Sequence, residues 1–206
     1  MGTAVKAAVA ARQEQTRPLA RFLAVVSLLG SVYFGLSVIA LHLLHTGYNP
    51  VSQEVSDYAV GPFGLVMDFA FTAAGVGGMS LAAALSLSYA ERDRAGALLL
   101  FLAGAGTFLL GLFPIDLQGT PATTHGAVHS AASLLVFVTQ PIGAVLVSRR
   151  FGARGLWATF AAFAVAAAVF VLDQALSLGA TGLSERVFLG VIVSWSALAS
   201  VRTIRR

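Results

Sequence analysis

The 206-residue chain contains no cysteine, and Asp, Glu, Lys and Arg together make up only 11% of it. Without cysteine, disulfides, thiolate metal sites and cysteine nucleophiles are excluded. So little charge beside 57% hydrophobic residues excludes an ordinary soluble domain, in which roughly a quarter of residues are charged. No small-residue cleavage site follows the first apolar run, so that run reads as a retained helix and not as a removed signal peptide. A basic face on a folded module is also lacking. The arginines occur in ones to threes at the ends of apolar runs, which argues against nucleic acid as a partner.

Six apolar stretches are present: Leu19–Leu44, Phe63–Tyr89, Ala95–Phe113, His125–Val147, Gly155–Leu176 and Glu185–Val201. About 20 residues of helix cross a hydrocarbon core of roughly 30 Å, so each stretch suits one crossing. The expected fold is all-α: a polytopic membrane protein built as a compact bundle of six transmembrane helices. Residues 1–18 form an N-terminal tail, 19–201 the transmembrane domain and 202–206 a basic tail. The first helix is expected to start at Pro18, a residue suited to a first helical turn.

Twelve of the thirteen basic residues fall on one side of this alternating scheme: Lys6, Arg12, Arg17, Arg21, Arg92, Arg94, Arg149, Arg150, Arg154, Arg202, Arg205 and Arg206. The positive-inside rule makes that side cytoplasmic, so both termini are expected there. Arg186 is the exception. The segments Leu44–Pro62, Pro114–Thr124 and Ser177–Ser184 carry no Lys or Arg and are expected to face outward. The longest, His45–Pro62, is punctuated by Gly47, Asn49-Pro50, Gly61 and Pro62. It reads either as a plain connector or as a lid folded back over the bundle, with Ser52, Glu54, Ser56 and Asp57 available to cap a short helix. Glycines in helices two and three point to close helix contacts, and the alanines of helix five are expected to sit against neighbours.

Ionisable groups in a hydrocarbon region cost about 3 kcal/mol or more and usually face an interior. Asp68 and Asp173 are flanked by apolar sequence, and His42, Asp116, His125, His129 and Glu185 sit near the same outer level. An outward Asp/His pocket is therefore expected, with Arg186 a natural partner for Asp68 or Asp173. Glu54, Asp57 and Glu185 read as solvated interface groups. His125 and His129 share one helical face, the spacing a divalent metal needs. With Asp116, Asp68 or His42 as third ligand, zinc would activate water, and Asp68, Asp116 and His129 become catalytic candidates. A haem would instead need His42 and His129 on facing helices.

The segments Asn49-Pro-Val-Ser-Gln-Glu-Val-Ser-Asp-Tyr-Ala-Val-Gly-Pro-Phe-Gly and Leu112-Phe-Pro-Ile-Asp116, with Gly119-Thr-Pro, Thr124-His-Gly and Val128-His129, resemble the bacterial six-span proteins of domain-of-unknown-function family 998. The resemblance covers nearly the whole chain and implies a site at Ser56, Asp57, Tyr58, Asp116 and His129. His125 has no counterpart in that pattern. A more distant likeness, in residue types alone, is to transmembrane hydrolases such as the alkaline ceramidases, which hold zinc with Ser, Asp and three His. It suggests Ser56, Asp116, His42, His125 and His129 as the corresponding types.

The function expected is therefore that of a bacterial plasma-membrane protein binding or handling a lipid or small molecule at the outer leaflet, or acting as a partner subunit. Ser56, Asp57, Tyr58, Asp68, Asp116, His129 and Asp173 are its candidate ligand-binding residues. The competing readings are a metal-dependent hydrolase of a lipid amide or ester, and a haem-binding redox protein.

Overall fold

The computed structural model describes residues 3–45, 47–88 and 94–206. The expected span limit Tyr89 and the basic residue Arg92 lie outside them. Among the described residues the chain is all-helical, with no strand. Its helices are α1 (Thr3–Leu44), α2 (Gly64–Ser88), α3 (Arg94–Leu110), α4 (Thr124–Ser148), α5 (Gly152–Leu176) and α6 (Thr181–Ile204). Four helical stretches are long and apolar enough to cross a membrane: Glu14–Leu44, Gly64–Ser88, Thr124–Leu176 and Thr181–Ile204. The third holds both α4 and α5, which meet at a 3-10 turn, Arg149–Phe151, where Gly152 takes φ +82°. That backbone conformation suits glycine and lets the chain reverse. α3 is apolar but shorter.

α1 begins at Thr3 and not at Pro18, which lies inside the helix. The ring of Pro18 removes a single backbone donor, and the helix continues through it.

Successive helices pack side by side, and α1 closes the ring against α6. The contacts sort the chain ends. The Arg17 guanidinium donates to the Arg206 carbonyl, and the Thr16 hydroxyl donates to the Leu87 carbonyl at 3.5 Å. The Arg202 guanidinium lies 4.5 Å from the centroid of the Phe151 ring. Thr16 and Arg17 of α1 and the ends of α2, α4 and α6 therefore share one end of the bundle, the basic end. The connections 45–63, 111–123 and 177–180 share the other, the loop end.

Large apolar side chains cover the outside: Leu65 is 71% exposed, Leu134 65% and Leu198 63%. Such a surface suits lipid, not water. Inside, backbone approach replaces a hydrophobic drive between helices. A Cβ on Gly104 of α3 would lie 2.5 Å from the Met79 amide nitrogen of α2, and a Cβ on Gly78 would lie 3.0 Å from the Gly104 Cα. At the basic end, buried Ser148 gathers three helices. Its Oγ accepts from the Thr159 hydroxyl of α5 and from the Trp195 indole of α6, both at 2.9 Å.

Ala166 of α5 is buried in the core and Ala167 packs against it, as expected, but the other alanines of this helix do not sit against neighbours. Ala158, Ala161, Ala162, Ala164 and Ala168 are exposed, and only Thr159, Phe163, Ala166 and Asp173 of this helix are buried. Alanine is apolar enough to face lipid, so its abundance does not mark an interface.

The close α2–α3 crossing yields a test. Gly104→Val is expected to destabilise the bundle by about 1–3 kcal/mol through overpacking, lowering the melting temperature of detergent-solubilised protein. Ala164→Val on exposed α5 is expected to leave it unchanged.

Candidate functional site

The connection after α1 is the fold-back alternative. It enters the bundle as a 3-10 turn, Val55–Ala59, in which Val55, Ser56, Tyr58 and Ala59 are all buried. Asp57 accepts from the Glu54 amide at 3.1 Å, closing the turn. Two consecutive residues of α6 hold it down. Glu185 is only 6% exposed, and its Oε2 accepts from the Val55 amide at 2.6 Å. Arg186 donates from Nη1 towards the carbonyls of Pro50, Gln53 and Gly182 at 3.0, 2.8 and 2.8 Å. Its guanidinium carbon lies 5.5 Å from the Tyr48 ring centroid and 5.8 Å from that of Tyr58. The two tyrosine rings stack at 4.0 Å. A side chain at Gly182 would collide with the Gln53 carbonyl, so the loop seats only against glycine there. Burial pushes the Tyr48 hydroxyl, the Glu54 carboxyl and the Asp57 carboxyl above their ordinary values.

The expected pairing of Arg186 with an aspartate is replaced by these carbonyls, because both aspartates are committed or placed elsewhere. Asp173 is buried and ties α5 to α6: Oδ1 accepts from the Ala180 amide at 2.9 Å, and Oδ2 accepts from the Ser184 hydroxyl at 3.3 Å. Asp68 is half-buried on α2, and its Oδ1 has no partner among the described residues. Glu185 is no solvated interface group; the chain fold buries it.

The second loop is pinned in the same manner. Asp116 accepts from the Thr123 amide and from the Thr123 hydroxyl, both at 2.7 Å, and Thr123 Oγ1 caps α4 by accepting from the Gly126 amide at 3.1 Å. These bonds hold the Asp116 carboxyl below the usual carboxylate range. One turn further on, the His129 Nδ1–H donates to the Phe113 carbonyl at 2.7 Å. A carbonyl only accepts, so the proton of the neutral ring sits on Nδ1 and Nε2 is left as a bare acceptor. His129 is 1% exposed, and that Nε2 is buried with no partner among the described residues.

His129 opens onto a cavity of about 70 Å³, enough for roughly five waters. Ser56 lines it from the 3-10 turn and Glu185 from α6. Phe34, Phe71, Leu110, Val136, Phe137 and Ile192 make its apolar walls, with Gly78 and Gly104 at the α2–α3 crossing. Gln140 and Ser196, joined by a 3.4 Å hydrogen bond, mark its far end. His129 and Gln140 are eleven residues apart on α4, so the cavity runs roughly 16 Å along the bundle.

Of the expected site residues, Ser56 and His129 meet in this cavity. Asp57 closes the 3-10 turn, and Tyr58 packs on Tyr48 and bonds His42 Nδ1 at 3.3 Å. Asp68, Asp116 and Asp173 are not among the cavity-lining residues. The pairing of His125 with His129 does not form. His125 is exposed and leans on the Phe113 ring, while His129 is buried and Asp116 is occupied by Thr123. Among the described residues no group of three or more His, Cys, Asp or Glu could hold a metal ion. Exposed His42 likewise does not share a cavity with His129. Glu185, Gln140, Ser31, Ser133 and Ser196 were not predicted for the site; Gln140, an amide deep inside an apolar run, carried the one available signal.

The Asp116 cap generates a pH test. Its depressed carboxyl contributes stability that is complete above the unfolded value of about 3.9 and is lost as pH falls through the lower folded value. Thr123→Val removes the hydroxyl bond and is expected to move the Asp116 carboxyl upward in an NMR titration. Acid unfolding should then begin at higher pH; an unmoved titration would contradict the cap.

No curated protein and no solved structure matches the chain. The family model described as "Protein of unknown function (DUF998)" matches residues 28–202, a span that includes both pinned loops and every residue lining the cavity. The chain belongs to this family of membrane-type helical proteins of unknown function.

Proposed function

We propose that this is a six-span protein of a bacterial plasma membrane, with both termini in the cytoplasm, that holds an apolar small molecule or a lipid chain in its internal cavity. Six helices packed side by side into a closed ring support the span number. At 1.5 Å per residue, even the 17-residue α3 reaches about 26 Å, close to a hydrocarbon core of roughly 30 Å. The arginines gathered at the basic end support a cytoplasmic assignment for it. The loop end is then external, and His129, Ser56 and Glu185 lie towards the outer leaflet. The bacterial setting rests on the sequence resemblance described above.

The observation that carries the binding reading is the cavity itself: an apolar slot with polar groups at its ends, walled by five of the six helices. Ligand sites are mostly apolar concavities with a few placed polar groups. An empty slot of this kind would forfeit packing in a bundle held together largely by packing.

Two experiments test the reading. Alkaline phosphatase fused after Arg206 is expected to be inactive, and the same reporter inserted after Gly119 to be active; the reverse pattern would sink the orientation. For the cavity, Ala74→Phe places a ring in the slot. Native mass spectrometry is expected to show a co-purified small molecule on the wild type and none on Ala74→Phe. A ligand retained equally by both proteins would place it elsewhere, and bare wild-type protein would leave a scaffold or partner-subunit role.

A further inference from the structure

We infer that the loop end of the cavity recognises a cationic amine carried on an apolar body, an inference that rests on the cavity being a ligand site. Its polar groups are acceptors. His129 Nε2 is a lone pair, because the Nδ1 proton is given to the Phe113 carbonyl, and it is buried without a partner among the described residues. Glu185 adds a carboxylate that spends one oxygen on the Val55 amide. Three groups that could donate spend a hydrogen within the protein, and the hydroxyls of Ser31, Ser133 and Ser196 also line the cavity. The Ser56 hydroxyl donates to Glu54 at 3.4 Å, the Thr107 hydroxyl to its own helix at the Ala103 carbonyl at 2.9 Å, and the Gln140 amide to Ser196. Among the described residues no Lys, Arg, Asn, Tyr or Trp lines the cavity.

The neighbouring charge agrees. Arg186 follows Glu185 in the chain, but its Nη1 is held by the carbonyls of Pro50, Gln53 and Gly182 and the residue is not among the cavity-lining groups. A fatty carboxylate or a phosphate at this end would meet the His129 lone pair and the Glu185 carboxyl, with no cationic side chain among the cavity-lining residues to neutralise it. An alcohol supplies one donor. An ammonium supplies three and neutralises the Glu185 carboxylate, while the phenylalanine, leucine and valine walls take its hydrocarbon body.

Octylamine, octanol and octanoate have equal chain length and differ only in the head, so they separate the alternatives. Binding is measured by native mass spectrometry on the full chain, with pairwise competition. Octylamine is expected to outcompete octanol by roughly tenfold, the worth of a hydrogen bond to a charged group, and octanoate is expected not to compete. Glu185→Gln keeps an oxygen for the Val55 amide, and is expected to bind octylamine and octanol equally. Should that variant fail to fold, judged by its thermal melt, the wild-type ranking alone decides.

Octanoate binding as well as octylamine, or equal binding of all three heads, overturns the inference and leaves the cavity reading intact. Failure of all three probes, together with no co-purified molecule, overturns the cavity reading itself. Phosphatidylethanolamine added as a competitor distinguishes the source. Displacement of octylamine assigns an aminolipid headgroup, and no displacement assigns a free amphiphilic amine; both outcomes support ammonium recognition.

Discussion

Glu185 and Arg186 hold the first loop inside the mouth of the bundle, and the loop-end architecture depends on them. A buried backbone amide must find an acceptor and a buried carbonyl a donor. Glu185 supplies the acceptor for Val55, and Arg186 supplies donors for Pro50 and Gln53. Neighbouring residues on one helix thus satisfy opposite needs of a single loop. With the loop seated, Val55 and Tyr58 join Phe34, Leu41, Met67 and Phe71 in a buried cluster, and Ser56 closes one end of the cavity. Removing either α6 side chain would leave its loop partners buried and unpaired, which is costlier than the bond was stabilising.

The second loop works by the same logic with different chemistry. Asp116 and Thr123 close a small turn, and the Phe113 carbonyl reaches His129 across the start of α4. The structural bond at Nδ1 has a chemical consequence at Nε2. Fixing the tautomer converts an imidazole into a directed acceptor facing a cavity, and one interaction serves both the fold and the site. The Phe-Pro-Ile-Asp segment is therefore a positioning device for a histidine one turn into the next helix.

Between the two pinned loops and the basic end, the bundle relies on close backbone approach. Gly78 and Gly104 bring α2 and α3 together and also border the cavity. Packing and cavity are thus parts of the same crossing. α5 stays at the edge, joined through Ser148 at one end and through Asp173 at the other.

The positions of the helices, the burden of apolar surface and the clustering of basic residues were legible in the chain itself, because crossing a hydrocarbon layer imposes length, hydropathy and charge rules one segment at a time. Two of the residues that line the cavity were legible in the chain, His129 as a polar group one turn into an apolar run and Ser56 through the family resemblance. Which carboxylate faces the cavity was not. Asp68, Asp116, Asp173 and Glu185 look alike in sequence, and each sits near a helix end. Only packing showed that Asp116 and Asp173 cap turns, that Asp68 lies outside the cavity and that Glu185 lines it. The sequence determined where the rods lie; the tertiary structure decided which polar groups they share, because hydrogen bonds between distant segments are set by helix rotation and loop seating, which no local pattern encodes.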